Sequence, residues 1–222
     1  MTTRKIPQCP YQFVVIEGNI GAGKTSLAKK ISRDYNARLI LERFADNPFL
    51  PRFYKNPERY AFPVELSFLA DRYNQLKKEL QERDIFSAFT VSDYYFMKSL
   101  IFARNTLAPD EYRLYSQIFH IIYQSLPKPD LYVFLHVSTE RLLSNIKHRG
   151  RKYEADITGE YLDNINSGYF EFFKQQKDFR LLIVDTGKID FVKNDSHYER
   201  LINDIFVADY PTGVSHILMD RD

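Results

Sequence analysis

The sequence contains no tryptophan and one cysteine, Cys9. A lone cysteine excludes an intramolecular disulfide framework and fits a reducing, cytoplasmic setting. No apolar run approaches the roughly 20 residues needed to span a bilayer, and Met1 to Pro10 holds no apolar stretch of signal-peptide length. The chain therefore reads as soluble. Excess charge is lacking too: 31 Lys and Arg stand against 29 Asp and Glu, a net charge of +2. Such a balance gives no general field for nucleic acid or membrane, so any anion site has to be local. Internal repeats, low-complexity tracts and linkers are also missing, and 222 residues suit one α/β domain spanning 1–222, with residues 1–11 expected to fray. What the sequence has in abundance is aromatic: 18 Phe and 16 Tyr, many of them between residues 44 and 123. Most belong in a core, and a few are free to stack on a planar ligand.

The pattern along the chain alternates. Phe13 to Glu17 is a short β-branched run followed at once by glycines, and residues 26–35 show helical spacing through Leu27, Ala28 and Ile31. Ala37 to Glu42 reads as a second strand and Asp46-Asn47-Pro48 as a turn. Phe62, Leu66, Leu69, Tyr73, Leu76 and Leu80 predict a long helix over 60–83. Further strands are expected at 89–92, 131–137 and 181–184, with helices over 94–105, 110–125, 139–147, 158–177 and 195–207. Strands alternating with helices imply right-handed crossovers and a five-stranded parallel sheet covered by helices on both faces.

Gly18-Asn19-Ile20-Gly21-Ala22-Gly23-Lys24-Thr25 matches the phosphate-loop pattern G-x-x-x-x-G-K-[ST]. Chance would produce it in a chain of this length with a probability on the order of one percent, given ordinary glycine usage. The strand before it and the helix after it are the context the motif requires. Glycines let backbone N–H groups turn inward as an anion nest at the positive end of a helix. Lys24 would then meet the β- and γ-phosphates of ATP, and Thr25 would ligate Mg²⁺. The plain alternative is a glycine-rich turn beside a solvated lysine.

The loop alone does not name the phosphoryl acceptor. The guanine-reading Asn-Lys-x-Asp of switch GTPases is absent. Lys147-His148-Arg149-Gly150-Arg151-Lys152 places cations at a helix end beside a glycine hinge. Alone it reads as a solvated helix terminus; together with the phosphate loop it reads as a basic lid over about 145–157. Glu42 ends the predicted second strand on the side where parallel-sheet ligands bind, as a base for a hydroxyl acceptor or as an ordinary exposed carboxylate.

Five ordered motifs resemble the deoxyribonucleoside kinases, most nearly the bacterial deoxyadenosine kinases: Ile16 to Thr25, Asn56 to Phe62, Val91 to Tyr94, Leu100 to Ala103 and Arg149 to Glu154. The resemblance implies a homodimer that transfers phosphate from ATP to a deoxynucleoside 5′-hydroxyl. Within it, Glu42 is the general base, and Tyr54 and Glu154 hold the sugar 3′-hydroxyl. Arg149 and Arg151 clamp the transferring phosphoryl group. Phe102 packs on the nucleobase and Arg72 is a base-site arginine. Asp185-Thr186-Gly187 precedes a segment bordering the donor adenine.

Four places depart from the family pattern. Ser92-Asp93-Tyr94 replaces Glu-Arg-Ser, leaving Asp93 to join Thr25 at Mg²⁺ directly or through water. Glu65 replaces a base-reading glutamine; as an ionised acceptor it favours an exocyclic amino donor, which ranks deoxyadenosine first and deoxycytidine second. Lys98 stands where relatives carry a carboxylate and would neutralise Glu65 or the surroundings of Arg72. Asn145 occupies the place of another lid arginine. The competing readings are a nucleoside monophosphate kinase of the thymidylate kinase type and a non-catalytic accessory subunit with a kinase fold.

Overall fold

The computed structural model describes residues 8–43, 47–82, 84–151, 154–177, 179–207 and 209–219. Fourteen elements follow one another among them. Strand β1 (Phe13–Gly18) leads into helix α1 (Lys24–Tyr35), β2 (Arg38–Ile40), α2 (Leu50–Lys55) and α3 (Pro57–Gln81). Then come β3 (Thr90–Ser92), α4 (Met97–Thr106), α5 (Pro109–Tyr123) and β4 (Leu131–His136). The series closes with α6 (Thr139–Arg149), α7 (Gly159–Lys174), β5 (Arg180–Asp185), α8 (Asp195–Val207) and β6 (Gly213–Leu218).

The sheet has six strands in the order β2-β3-β1-β4-β5-β6, every pair parallel. The sixth strand corrects the expected five. Residues 213–218 alternate between half-buried and exposed because β6 is an edge, and with Ser215 and His216 in its middle it lacks the continuous apolar signature of its neighbours. Two other expectations shift. The second strand ends at Ile40, so Glu42 lies beyond it, and the segment before α3 forms the short helix α2.

Alternate side chains of the central strands supply two cores. Val14, Ile16, Val133, Leu135, Leu182 and Val184 meet Leu27 and Ile31 of α1 and Ile205 of α8. Phe13, Val15, Tyr132, Phe134 and Ile183 face Leu69, Ile101, Phe119 and Tyr169 of α3, α4, α5 and α7. The abundant aromatics are mostly here, with Phe96 and Phe119 stacked at 4.8 Å and Phe134 tilted against Tyr169 at 4.8 Å. Of the segment expected to fray, residues 1–7 lie outside the described residues, and Tyr11 is buried in the first core. The chain winds to one side from β1 and to the other from β4, so a crevice opens beyond the carboxyl ends of these strands, where parallel sheets take their ligands.

Candidate active site

The glycine-rich loop turns at that crevice. Gly21 (φ 84°) and Gly23 (φ 91°) adopt left-handed backbone, and Gly23 caps α1. A Cβ on Gly18 would lie 2.7 Å from the Leu135 carbonyl oxygen of β4, and one on Gly23 would lie 2.7 Å from the Phe191 ring. Lys24 Nζ donates to the Asn19 carbonyl at 2.8 Å. Burial together with neighbouring Lys98 holds its ammonium down at about 8, with Glu17, Glu42 and Asp93 acting the other way.

Beside the loop, Thr25 Oγ1 donates to Asp93 Oδ2 at 2.5 Å, and Asp93 Oδ1 accepts the backbone N–H of Glu42 at 2.8 Å. Asp93 follows β3 and is buried. A hydroxyl and a carboxylate oxygen so close form a hard-oxygen pair suited to Mg²⁺, which commonly takes one or two protein oxygens and completes its shell with phosphate and water. No cluster of three or more His, Cys, Asp or Glu side chains that could hold a metal alone occurs among the described residues.

Glu42 carries two cations. Arg72 donates to its Oε1 from Nε at 2.9 Å and Nη2 at 2.7 Å, and Lys98 Nζ lies 2.5 Å from its Oε2. Burial alone would raise this carboxyl, but Lys98 and Arg72 outweigh it and hold the group at about 2. The third Arg72 donor, Nη1, reaches Ser99 Oγ at 2.9 Å. Arg72 and Lys98 thus converge on Glu42. Lys98, expected to neutralise Glu65 or the surroundings of Arg72, forms its ion pair with Glu42, the carboxylate that Arg72 also binds, because the turn that carries Glu42 past Ile40 brings it between both cations.

Farther along α3, Glu65 is buried and faces the same cavity with Phe68 and Phe102. Burial pushes its carboxyl up to about 7, against the lowering effects of Arg72, Thr106 and Lys98. Apolar walls favour the neutral acid, which donates as well as accepts, so beside the ionised acceptor expected from the sequence the site offers a second state of Glu65. On the opposite rim Glu154 accepts from Arg149 Nη2 at 2.5 Å and Nε at 3.1 Å, and from Arg151 Nη1 at 3.3 Å. Glu154 and both arginines therefore meet one another. Lys152 of the expected lid and the side chain of Tyr54 lie outside the described residues.

One cavity of about 480 Å³ joins these groups: Lys24, Thr25, Asp93, Glu42, Arg72, Lys98, Glu65, Phe102, Arg149, Arg151 and Glu154 all line it. Sequence reasoning missed its apolar walls, among them Phe53, Val64, Phe68 and Tyr161, whose helical spacing reads only as core. It also missed Glu17. This fully buried carboxyl accepts from Tyr95 N and Tyr169 OH, both at 2.9 Å, beneath the loop.

The sequence model of the family "Deoxynucleoside kinase" matches residues 14–208. The chain belongs to that family. This kinase is 37% identical over 193 residues to the "Deoxyguanosine kinase" of Bacillus subtilis (strain 168), covering 85% of the chain and 93% of that relative. It is 28% identical over 208 residues to the "Deoxyadenosine kinase" of Lactobacillus acidophilus, covering 87% of the chain and 94% of the relative. Among solved structures, deoxyadenosine kinase from M. mycoides with bound dATP superposes with a TM-score of 0.72 at 26% identity, over 86% of this chain and 98% of that one. The kinase is accordingly a phosphotransferase with an α/β fold built on a parallel sheet.

Proposed function

We propose that this deoxynucleoside kinase transfers the γ-phosphoryl group of ATP to the 5′-hydroxyl of deoxyadenosine. The observation that carries the reading is the placement of Glu42 in one cavity with the glycine loop, the Thr25–Asp93 pair and an aromatic recess. Backbone N–H groups of residues 18–25 and the Lys24 ammonium hold the donor phosphates. Thr25 and Asp93 hold Mg²⁺, which neutralises charge on the phosphates when bound. Arg149 and Arg151 exchange Glu154 for the transferring phosphoryl group, freeing Glu154 for the sugar 3′-hydroxyl that Tyr54 shares.

Glu42 orients the 5′-hydroxyl and takes its proton as the new P–O bond forms. A carboxylate held at about 2 is a weak base, so its main contribution is orientation. That suits a loose transition state, which depends on positioning and charge neutralisation. Phe102 stacks on the base, and a neutral Glu65 both accepts from adenine N6 and donates to N1. Deoxycytidine, whose N4 and N3 present the same pair, ranks next. The neutral acid also pairs with guanine, donating to O6 and accepting from N1–H, and with the deoxyguanosine kinase relative at 37% identity this makes deoxyguanosine the second reading beside deoxyadenosine. Cytoplasmic action as a homodimer completes the proposal.

A coupled assay with ATP, Mg²⁺ and each deoxynucleoside tests it directly. Turnover should fall about 10²-fold in Glu42→Gln, the low end for loss of a positioned acid–base group because a carboxylate held at about 2 is a weak base. Unchanged turnover in that variant would remove Glu42 from the reaction.

A further inference from the structure

Seven residues separate Glu65 from Arg72 on α3, a rise of about 10 Å. Arg72 is bonded to Glu42, which sits beside the loop through Asp93. Along α3, Glu65 therefore lies about two turns from the residue that holds Glu42, on the same side of the helix. The recess around it is built from Val64, Phe68 and Phe102 with the Thr106 hydroxyl. Its apolar and aromatic lining suits a planar ring whose polar edge meets a single carboxyl group.

We infer that Glu65 selects the nucleobase through its own protonation: as the neutral acid it accepts adenine and guanine alike, and as the carboxylate it accepts guanine and rejects adenine. This rests on the deoxynucleoside reading above and deepens it. A carboxylic acid offers one donor and one acceptor side by side, whereas a carboxylate offers acceptors only. The acid pairs with adenine by donating to N1 and accepting from N6, and with guanine by donating to O6 and accepting from N1–H. The carboxylate keeps a full pair only with guanine, whose N1–H and 2-amino group are adjacent donors. Against adenine it would gain one bond from N6 and face the N1 lone pair.

The surroundings permit both states. Burial favours the acid, while Arg72 from the same helix and Lys98 from α4 favour the carboxylate, leaving the group at about 7; the nearby Thr106 hydroxyl donates to the Phe102 carbonyl at 2.9 Å. Both cations are already bonded to Glu42, so neither closes on Glu65. From α5, Tyr115 faces it; its hydroxyl donates to the Glu65 backbone carbonyl at 3.4 Å and leaves the carboxyl to the cavity. From α2 the cavity receives Leu50 and Phe53, while Arg52 and Lys55 are exposed.

The test is the ratio of kcat/KM for deoxyguanosine to that for deoxyadenosine, measured between about pH 6 and about pH 8. A ratio cancels pH effects on ATP, metal and Glu42 that both substrates share. It should rise about tenfold with pH, the change in the neutral fraction of a group titrating near 7. Deoxyinosine, which lacks the 2-amino group, should lose ground to deoxyguanosine over the same range. Glu65→Gln, with a fixed donor and acceptor, should make both ratios independent of pH. A flat ratio in the unaltered enzyme, or a pH-dependent one in Glu65→Gln, overturns the inference while leaving the kinase reading intact. Failure to phosphorylate either purine nucleoside at any pH overturns both.

Discussion

Two buried cations, Arg72 and Lys98, hold the one carboxylate of Glu42 in the cavity wall. Its carboxyl is held at about 2, below the ordinary 4.5, so it remains charged well into acid. The sign follows: its contribution to stability is complete above about pH 4.5 and is lost as the pH falls toward about 2. Lys98→Met removes the larger of the two lowering influences. The acid limb of the kcat profile should then move up toward the ordinary carboxyl range, while the alkaline side keeps its position. An unshifted acid limb would mean that Lys98 does not tune Glu42. The identities of Glu42, Arg72 and Lys98 were all legible as site residues in the sequence, but their pairing was not. No spacing rule connects a residue after β2 with one on α3 and one on α4. Likewise, the charge state of Glu65 depends on apolar walls supplied by distant segments, which the sequence alone does not bring together.

At the level of elements, the loop between β1 and α1 is fixed by contact as much as by chain flexibility. Gly18 has φ 152°, and its missing Cβ allows the Leu135 carbonyl of β4 to approach. Backbone cannot yield as a side-chain tip can, so Gly18→Ala should cost at least about 2 kcal/mol. Thermal unfolding should show a fall in Tm of about 4–8 °C for a chain of this size. The strand–loop–helix unit was plain in the sequence because the motif, the β-branched run and the helical spacing agree. The edge strand β6 was not. Its half-exposed alternation and polar middle carry little hydrophobic signal, and only pairing with β5 makes it a strand. Helix α2 was hidden for a similar reason, being too short to show a period.

For the whole molecule, the aromatic helices leave an unmatched face. Leu114 and Ile121, seven residues apart on α5, are 50% and 74% exposed, and Leu66 of α3 is 36% exposed. Residues at this spacing share one side of a helix. Contact with a second copy through this face is the arrangement that the homodimer proposal predicts. Light scattering should return twice the 26.3 kDa chain mass, and Leu114→Asp with Ile121→Asp should return a single chain. A monomeric parent protein would dismiss the proposal. Composition indicated abundant aromatics, but their division between the two cores and this outer face emerges only from the packing.

The loop is held from both sides of the basic segment. Asn145 of α6 donates to the Gly21 carbonyl at 2.9 Å. Asn19 donates to Leu162 O and Asn166 Oδ1 of α7 at 2.8 and 2.9 Å, and Tyr169 of α7 reaches Glu17 below. In mechanical terms, the helices on either side of Arg151 and Glu154 are both bolted to the phosphate loop, so a lid of the kind proposed would have its two hinges anchored to the platform it covers.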